Sequence, residues 1–124
     1  MNLLEQAKRF YNGVPILAEW LGPDGISVSQ EIAQFRTDIC LRCDFNKPGN
    51  FITESVAAAI KSEKELRIGL GLRTNGIKEL KTCQACTCPL PSKIWIPLSR
   101  LLIGEDSESL AKYDPKCWMR NETP

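Results

Sequence analysis

The chain has 124 residues, the size of one domain and too short for two independent cores. Hydrophobic residues make up 43% and charged residues 25%, an ordinary globular balance that excludes disorder of the whole chain. With 16 Lys and Arg against 15 Asp and Glu, the net charge of +1 excludes a general electrostatic pull towards nucleic acid or membrane. The charge is unevenly spread: residues 61–100 carry 8 basic and 3 acidic side chains, and the segments on either side are each acidic by 2. The basic residues of that middle segment, Lys61, Lys64, Arg67, Arg73, Lys78, Lys81, Lys93 and Arg100, are expected mainly on a solvated helix face.

Leu3, Leu4, Ala7, Phe10 and Tyr11 recur at helical spacing, so residues 3–12 are predicted to form an amphipathic helix started by Asn2 and ended by Gly13. Ile16, Leu17, Trp20 and Leu21 continue as a second apolar turn. Gly22-Pro23-Asp24-Gly25 then signals a turn. Ser27-x-x-Gln30 has the form of a capping box and Ser29 is a second cap candidate, predicting a helix to about Leu41 with Ile32, Phe35 and Ile39 as its buried stripe. A polar loop over 44–50 leads to a second helix, about 52–68, with Ile52, Val56, Ala59, Ile60 and Leu66 on one face. The glycines of 69–76 break that helix. Their spacing does not fit a dinucleotide fingerprint, so a turn or link is expected. Ile94, Ile96 and Leu98 alternate with Trp95 and Pro97 and predict an edge strand over 93–98. A short helix over 108–113 follows. No stretch approaches the ~20 apolar residues of a membrane helix.

The chemistry lies in six cysteines: Cys40 and Cys43 as C-x-x-C, Cys83, Cys86 and Cys88 as C-x-x-C-x-C, and the distal Cys117. Two intervening residues form a knuckle that aims both sulfurs at one point, and two such pairs complete a tetrahedron around zinc. The N-terminus lacks the charged, apolar and small-residue order of a secretory signal, so a reducing, cytoplasmic setting is expected, where thiols bind metal more often than they pair. One tetrahedral zinc uses four thiolates and leaves two spare. Two zincs need two bridging thiolates, with Cys88 a bridging or second-site ligand or no ligand at all. Free or disulfide-bonded cysteines, C-x-x-C redox chemistry and an iron–sulfur cluster are the competing readings. An all-thiolate zinc has no open position for water, and the chain has no histidine to serve as a general base, so no enzymatic activity is expected.

The runs Arg36-Thr-Asp-Ile-Cys40-Leu-Arg-Cys43-Asp-Phe-Asn46, Leu80-Lys-Thr-Cys83-Gln-Ala-Cys86-Thr-Cys88-Pro-Leu90, Lys93-Ile-Trp95-Ile-Pro97-Leu98 and Tyr113-Asp-Pro-Lys-Cys117-Trp118 resemble a family of small uncharacterised six-cysteine proteins of phages, prophages and bacteria. The likeness covers about residues 30–120. The family pattern places glycine where this chain has Thr87, a departure that affects the local turn and removes no ligand. The resemblance implies a compact metal-bound module, and a host cytoplasm or virion as its setting.

These readings predict a small, mainly α (α+β) domain with helices around a Cys-ligated, zinc-ribbon-like core and a short β element. Residues 1–25 form an N-terminal amphipathic segment and residues 26–124 the six-cysteine domain, holding one or two zinc ions. Its expected work is interaction or assembly with a protein partner, a phage structural protein or a second copy of itself, with Trp20, Trp95 and Trp118 as anchors or as core packing. The alternative is weak nucleic-acid binding by the basic segment of 61–100.

Overall fold

The computed structural model describes residues 16–17, 19–22 and 25–122. The predicted helix of residues 3–12, and Pro23 and Asp24 of the predicted turn, lie outside the described residues. Ile16, Leu17, Glu19, Trp20 and Leu21 are helical, and Leu17 and Trp20 are buried.

Helix α1 (Gln30–Leu41) starts at Ser29, whose hydroxyl accepts from the Ile32 N–H at 3.3 Å. Ser27 is not the cap: its hydroxyl accepts instead from the Trp20 indole at 3.0 Å. The predicted stripe is corrected as well. Ile32 and Phe35 are exposed and Ile39 is half-buried, while Ala33, Arg36, Thr37 and Cys40 face the core. A polar face can turn inward only where its polar atoms find partners, and here they do. Arg36 donates to the carbonyls of Ile94 (3.0 Å) and Ile96 (2.7 Å) and forks onto the Glu122 carboxylate (3.0 and 2.6 Å). Its guanidinium also lies 4.2 Å from the centre of the Trp118 ring. Thr37 donates to the Ala33 carbonyl and shares a 2.7 Å hydrogen bond with Thr74.

Helix α2 (Phe51–Ile68) begins within a residue of its predicted start, because the Asn50 side chain accepts from the Ile52 and Thr53 N–H groups. It ends at Gly69, whose φ of +69° is the left-handed stop that glycine supplies without strain. Its inward face is Ala57 and Lys64, with Ile60 half-buried, whereas Ile52, Val56, Ala59 and Leu66 are exposed. Lys64 was expected in solvent. It is 3% exposed, and its ammonium donates to the Gly25 carbonyl at 2.7 Å.

A two-stranded antiparallel sheet joins β1 (Asn46–Lys47) to β2 (Thr82–Cys83), pairing Asn46 with Cys83 and Lys47 with Thr82. The edge strand expected over 93–98 is absent. Helix α3 (Leu90–Lys93), a turn and helix α4 (Leu98–Leu101) occupy that stretch. Pro91 sits in the first turn of α3, where its missing N–H costs nothing. Ile94, Trp95 and Ile96 are all buried rather than alternating, since the carbonyls of 94 and 96 turn towards Arg36. Helix α5 (Ser107–Ala111), capped by Asp106, matches the short helix predicted there. Helix α6 (Trp118–Asn121) was not foreseen. Trp20, Trp95 and Trp118 are each no more than 2% exposed, so all three pack in the core and none is a surface anchor. The fold is small and mainly helical with one short β element, and α1, β2, α3 and α6 meet around the cysteines.

Candidate metal centre

Three separate stretches deliver the six cysteines. Cys40 lies in the last turn of α1, and the chain leaves that helix through a turn in which the Cys43 N–H donates to the Cys40 carbonyl at 3.1 Å. The Cys43 sulfur accepts from the Phe45 N–H at 3.4 Å, the contact expected of a tight C-x-x-C knuckle. Cys83 to Cys88 form a closed loop: the Cys83 N–H donates to the Cys88 carbonyl and the Thr87 N–H returns to the Cys83 carbonyl. The Gln84 N–H donates to the Phe45 carbonyl at 2.8 Å and fastens this loop to the first knuckle. Thr87 has a φ of +61°, a left-handed conformation that strains a β-branched residue. It is the one non-glycine with positive φ among the described residues. Cys117 caps α6, its sulfur accepting from the Met119 N–H at 3.4 Å.

All six cysteines are free thiols; Cys40, Cys83 and Cys86 are buried and Cys43, Cys88 and Cys117 half-buried. Cys40, Cys43, Cys83 and Cys117 line one cleft of about 520 Å³. Cys86 lies behind it in hydrogen-bonding contact with the Cys83 and Cys88 thiols. Among the described residues, no three or more His, Cys, Asp or Glu side chains are gathered in a metal-holding arrangement. Four of the sulfur-bearing residues, Cys40, Cys43, Cys83 and Cys117, share the cleft, and Cys86 and Cys88 belong to the loop that Cys83 opens.

Beside them stands a residue that had been placed among the solvated cations. Lys93, at the end of α3, is 3% exposed. Its ammonium lies 2.9 Å from the Cys86 sulfur and 3.0 Å from the Tyr113 hydroxyl, which in turn donates to Glu105 at 3.0 Å. It also sits 4.7 Å from the centre of the Tyr113 ring and 5.7 Å from that of Trp118. The Trp118 indole N–H donates to the Cys40 sulfur at 3.3 Å. Two buried donors are thus aimed at two sulfurs.

The protonation pattern follows from these contacts. Burial pushes the Cys40 thiol up to about 11 against the pull of the Trp118 N–H, and burial likewise raises Cys117. Hydrogen bonding to Cys86, with burial, raises Cys83 and Cys88. Cys86 goes the other way. Burial would raise it, but the Cys83 and Cys88 thiols and the Lys93 ammonium outweigh burial and hold it well below the ordinary thiol range. Burial alone would lower Lys93, and the charge on Cys86 keeps it raised. Lys93 and Cys86 thus each favour the charged form of the other. The other buried thiols have no full cation of their own.

Sequence reasoning singled out all six cysteines and missed Lys93, Tyr113, Arg36 and Trp118 as their surroundings. The available signal was a lone lysine inside the apolar run 89–98, flanked by Pro91 and Pro97. Among the described residues no helix is long and apolar enough to cross a membrane. No protein-family model, curated protein or solved structure matches the chain.

Proposed function

We propose that the chain is a non-enzymatic, zinc-stabilised interaction module whose six cysteines hold one or two zinc ions and whose surface docks on protein, as a phage virion or virion-assembly component would. The observation that carries the metal reading is that four unpaired cysteines from three stretches far apart in sequence, Cys40, Cys43, Cys83 and Cys117, line one cleft, with Cys86 and Cys88 in the loop that Cys83 opens. Neutral thiols bury readily as small hydrophobes, so burial alone does not call for a metal; knuckle spacing together with a shared cleft does, and a coordinating thiol is deprotonated outright. Cys40, Cys43, Cys83 and Cys117 would hold one tetrahedral ion, and a second ion would draw on Cys86 and Cys88 with two bridging thiolates. Zinc supplies structure here, holding the ends of α1, β2 and α6 together. Lys93 and Trp118 would then offset part of the negative charge of the thiolates and orient two of the sulfurs.

The nucleic-acid alternative loses support from burial. Of the eight cations in residues 61–100, Lys64 and Lys93 are spent inside the fold. Elemental analysis of purified protein, paired with circular dichroism before and after chelation, tests the metal reading. One or two zinc ions per chain and loss of helical signal on chelation are expected; a metal-free protein with an intact fold would overturn it. Titration with single- and double-stranded DNA at two ionic strengths separates the two functions: no binding even at low salt leaves protein docking, and tight salt-resistant binding displaces it.

A further inference from the structure

Helix α2 turns its apolar stripe outward. Ile52 is 70% exposed, Val56 41% and Leu66 78%, and Ala59 and Glu63 are exposed between them. Their spacing of 4, 3, 4 and 3 residues is the a/d alternation of a two-stranded coiled-coil seam. Phe51, 82% exposed, extends the stripe at its start. The helix is pinned at both ends, by Asn50 and by Gly69, and its 18 residues present a rigid rod roughly 27 Å long. The opposite face is already committed, through Ala57 to Ser92 and through Lys64 to Gly25.

We infer that this stripe is the contact face for a second copy of the same chain, with the two α2 helices packed antiparallel across a two-fold axis near Ala59. The inference deepens the docking reading above and rests on it, but it requires no metal. Three observations select this occupant. The seam has the period of a helical partner, and the small Ala59 at its centre lets two backbones approach. Phe51, Ile52, Val56 and Leu66 are 41–82% exposed along one helix, a contiguous apolar strip of the kind that monomers rarely leave bare. The charges also suit it. Glu63, the one charged seam residue, is held by Arg67 at 3.4 Å. In an antiparallel pair the two Glu63 carboxylates stand eight residues apart along the axis, roughly 12 Å, facing serine and valine, whereas a parallel pair would set them against each other.

The test is sedimentation of the full zinc-loaded chain at up to about 100 µM. Wild type is expected to be a dimer. Leu66→Glu and Ile52→Glu, both at exposed sites, are expected to weaken association at least about 100-fold with an unchanged circular dichroism spectrum. Glu63→Leu should tighten it by about tenfold, because it removes the polar seam position. A monomeric wild type overturns the inference, as does a dimer that Leu66→Glu leaves intact. A monomeric wild type whose melting temperature falls with Leu66→Glu also overturns it, and would assign the stripe to a segment of the same chain such as residues 1–15. Zinc measured in the same samples judges the metal reading separately: a zinc-free dimer fails that reading alone, and a zinc-loaded monomer fails this one alone.

Discussion

Replacing Lys93 with methionine keeps most of the length of the side chain and deletes its charge together with its hydrogen bonds to Cys86 and Tyr113. At 2.9 Å, and with the effective dielectric of ~20 that suits buried sites, the ammonium–thiolate attraction is about 6 kcal/mol. The desolvation of both partners consumes part of that. Removing one member of a buried pair nevertheless costs about 3–5 kcal/mol, because the other is left uncompensated. Here Cys86 can take up a proton, which places the expected loss for Lys93→Met near the lower figure, about 3 kcal/mol. Against a typical total of ~5–15 kcal/mol, this is a large fraction of the stability. The assay is guanidinium unfolding at pH 7 of wild type, Lys93→Met, Cys86→Ala and the double variant. The double variant is expected to lose less than the sum of the single losses, with a coupling of at least ~1.5 kcal/mol. A Lys93→Met loss below ~1 kcal/mol, or simple additivity, would refute the claim that Lys93 and Cys86 act as a pair.

Cys40→Ser and Cys83→Ser are each expected to unfold or aggregate the protein, since apparent zinc binding is worth ~10–16 kcal/mol in small domains; melting temperatures unchanged in both would show the site to be misassigned. Zinc affinity should fall as the pH is lowered, and zinc uptake should release protons, because Cys40, Cys83, Cys88 and Cys117 hold theirs above the ordinary thiol range; an indicator-dye titration in weak buffer reads the release, and fewer than two protons per ion would contradict it. Thr87→Gly should leave stability within about 1 kcal/mol of wild type, because the ~1–2 kcal/mol of left-handed strain relieved is offset by the lost Thr87 hydroxyl bond to the Cys86 carbonyl and by the freedom glycine adds to the unfolded chain; a larger change in thermal melting would contradict it.

What could be read from the sequence was whatever depends on near neighbours. The bounds of α2 follow from Asn50 and Gly69, and the start of α1 from Ser29, because caps act within one turn. The cysteine knuckles declared themselves by spacing. What failed was the inward facing of the apolar stripes on α1 and α2, where Ile32, Phe35, Ile52, Val56 and Leu66 are exposed. On α1, Phe35 yields to Arg36, whose acceptors are carbonyls 58 and 60 residues away and a carboxylate 86 residues away. No window of local sequence contains that information. The 93–98 stretch alternates in composition and still does not form a strand. Its carbonyls serve Arg36, its lysine serves Cys86, and Pro97 breaks any ladder. Lys93 itself looked like one more surface cation, because a buried lysine is identified by its partner and not by its neighbours.

The Trp118–Cys40 contact spans 78 residues, and Arg36 to Glu122 spans 86. Synthesis therefore presents Cys40 and Cys43 long before Cys117, Trp118 and Glu122 exist. A nascent chain passes through a stage with an unsheltered C-x-x-C, an arginine without acceptors and a second thiol loop arriving behind it. Contacts of such separation bear their loop-closure entropy before they are rewarded, which slows the closing step and lengthens the exposure of reactive sulfur. The contacts of Cys40 and Arg36 are therefore complete only once the chain has been made through to Glu122.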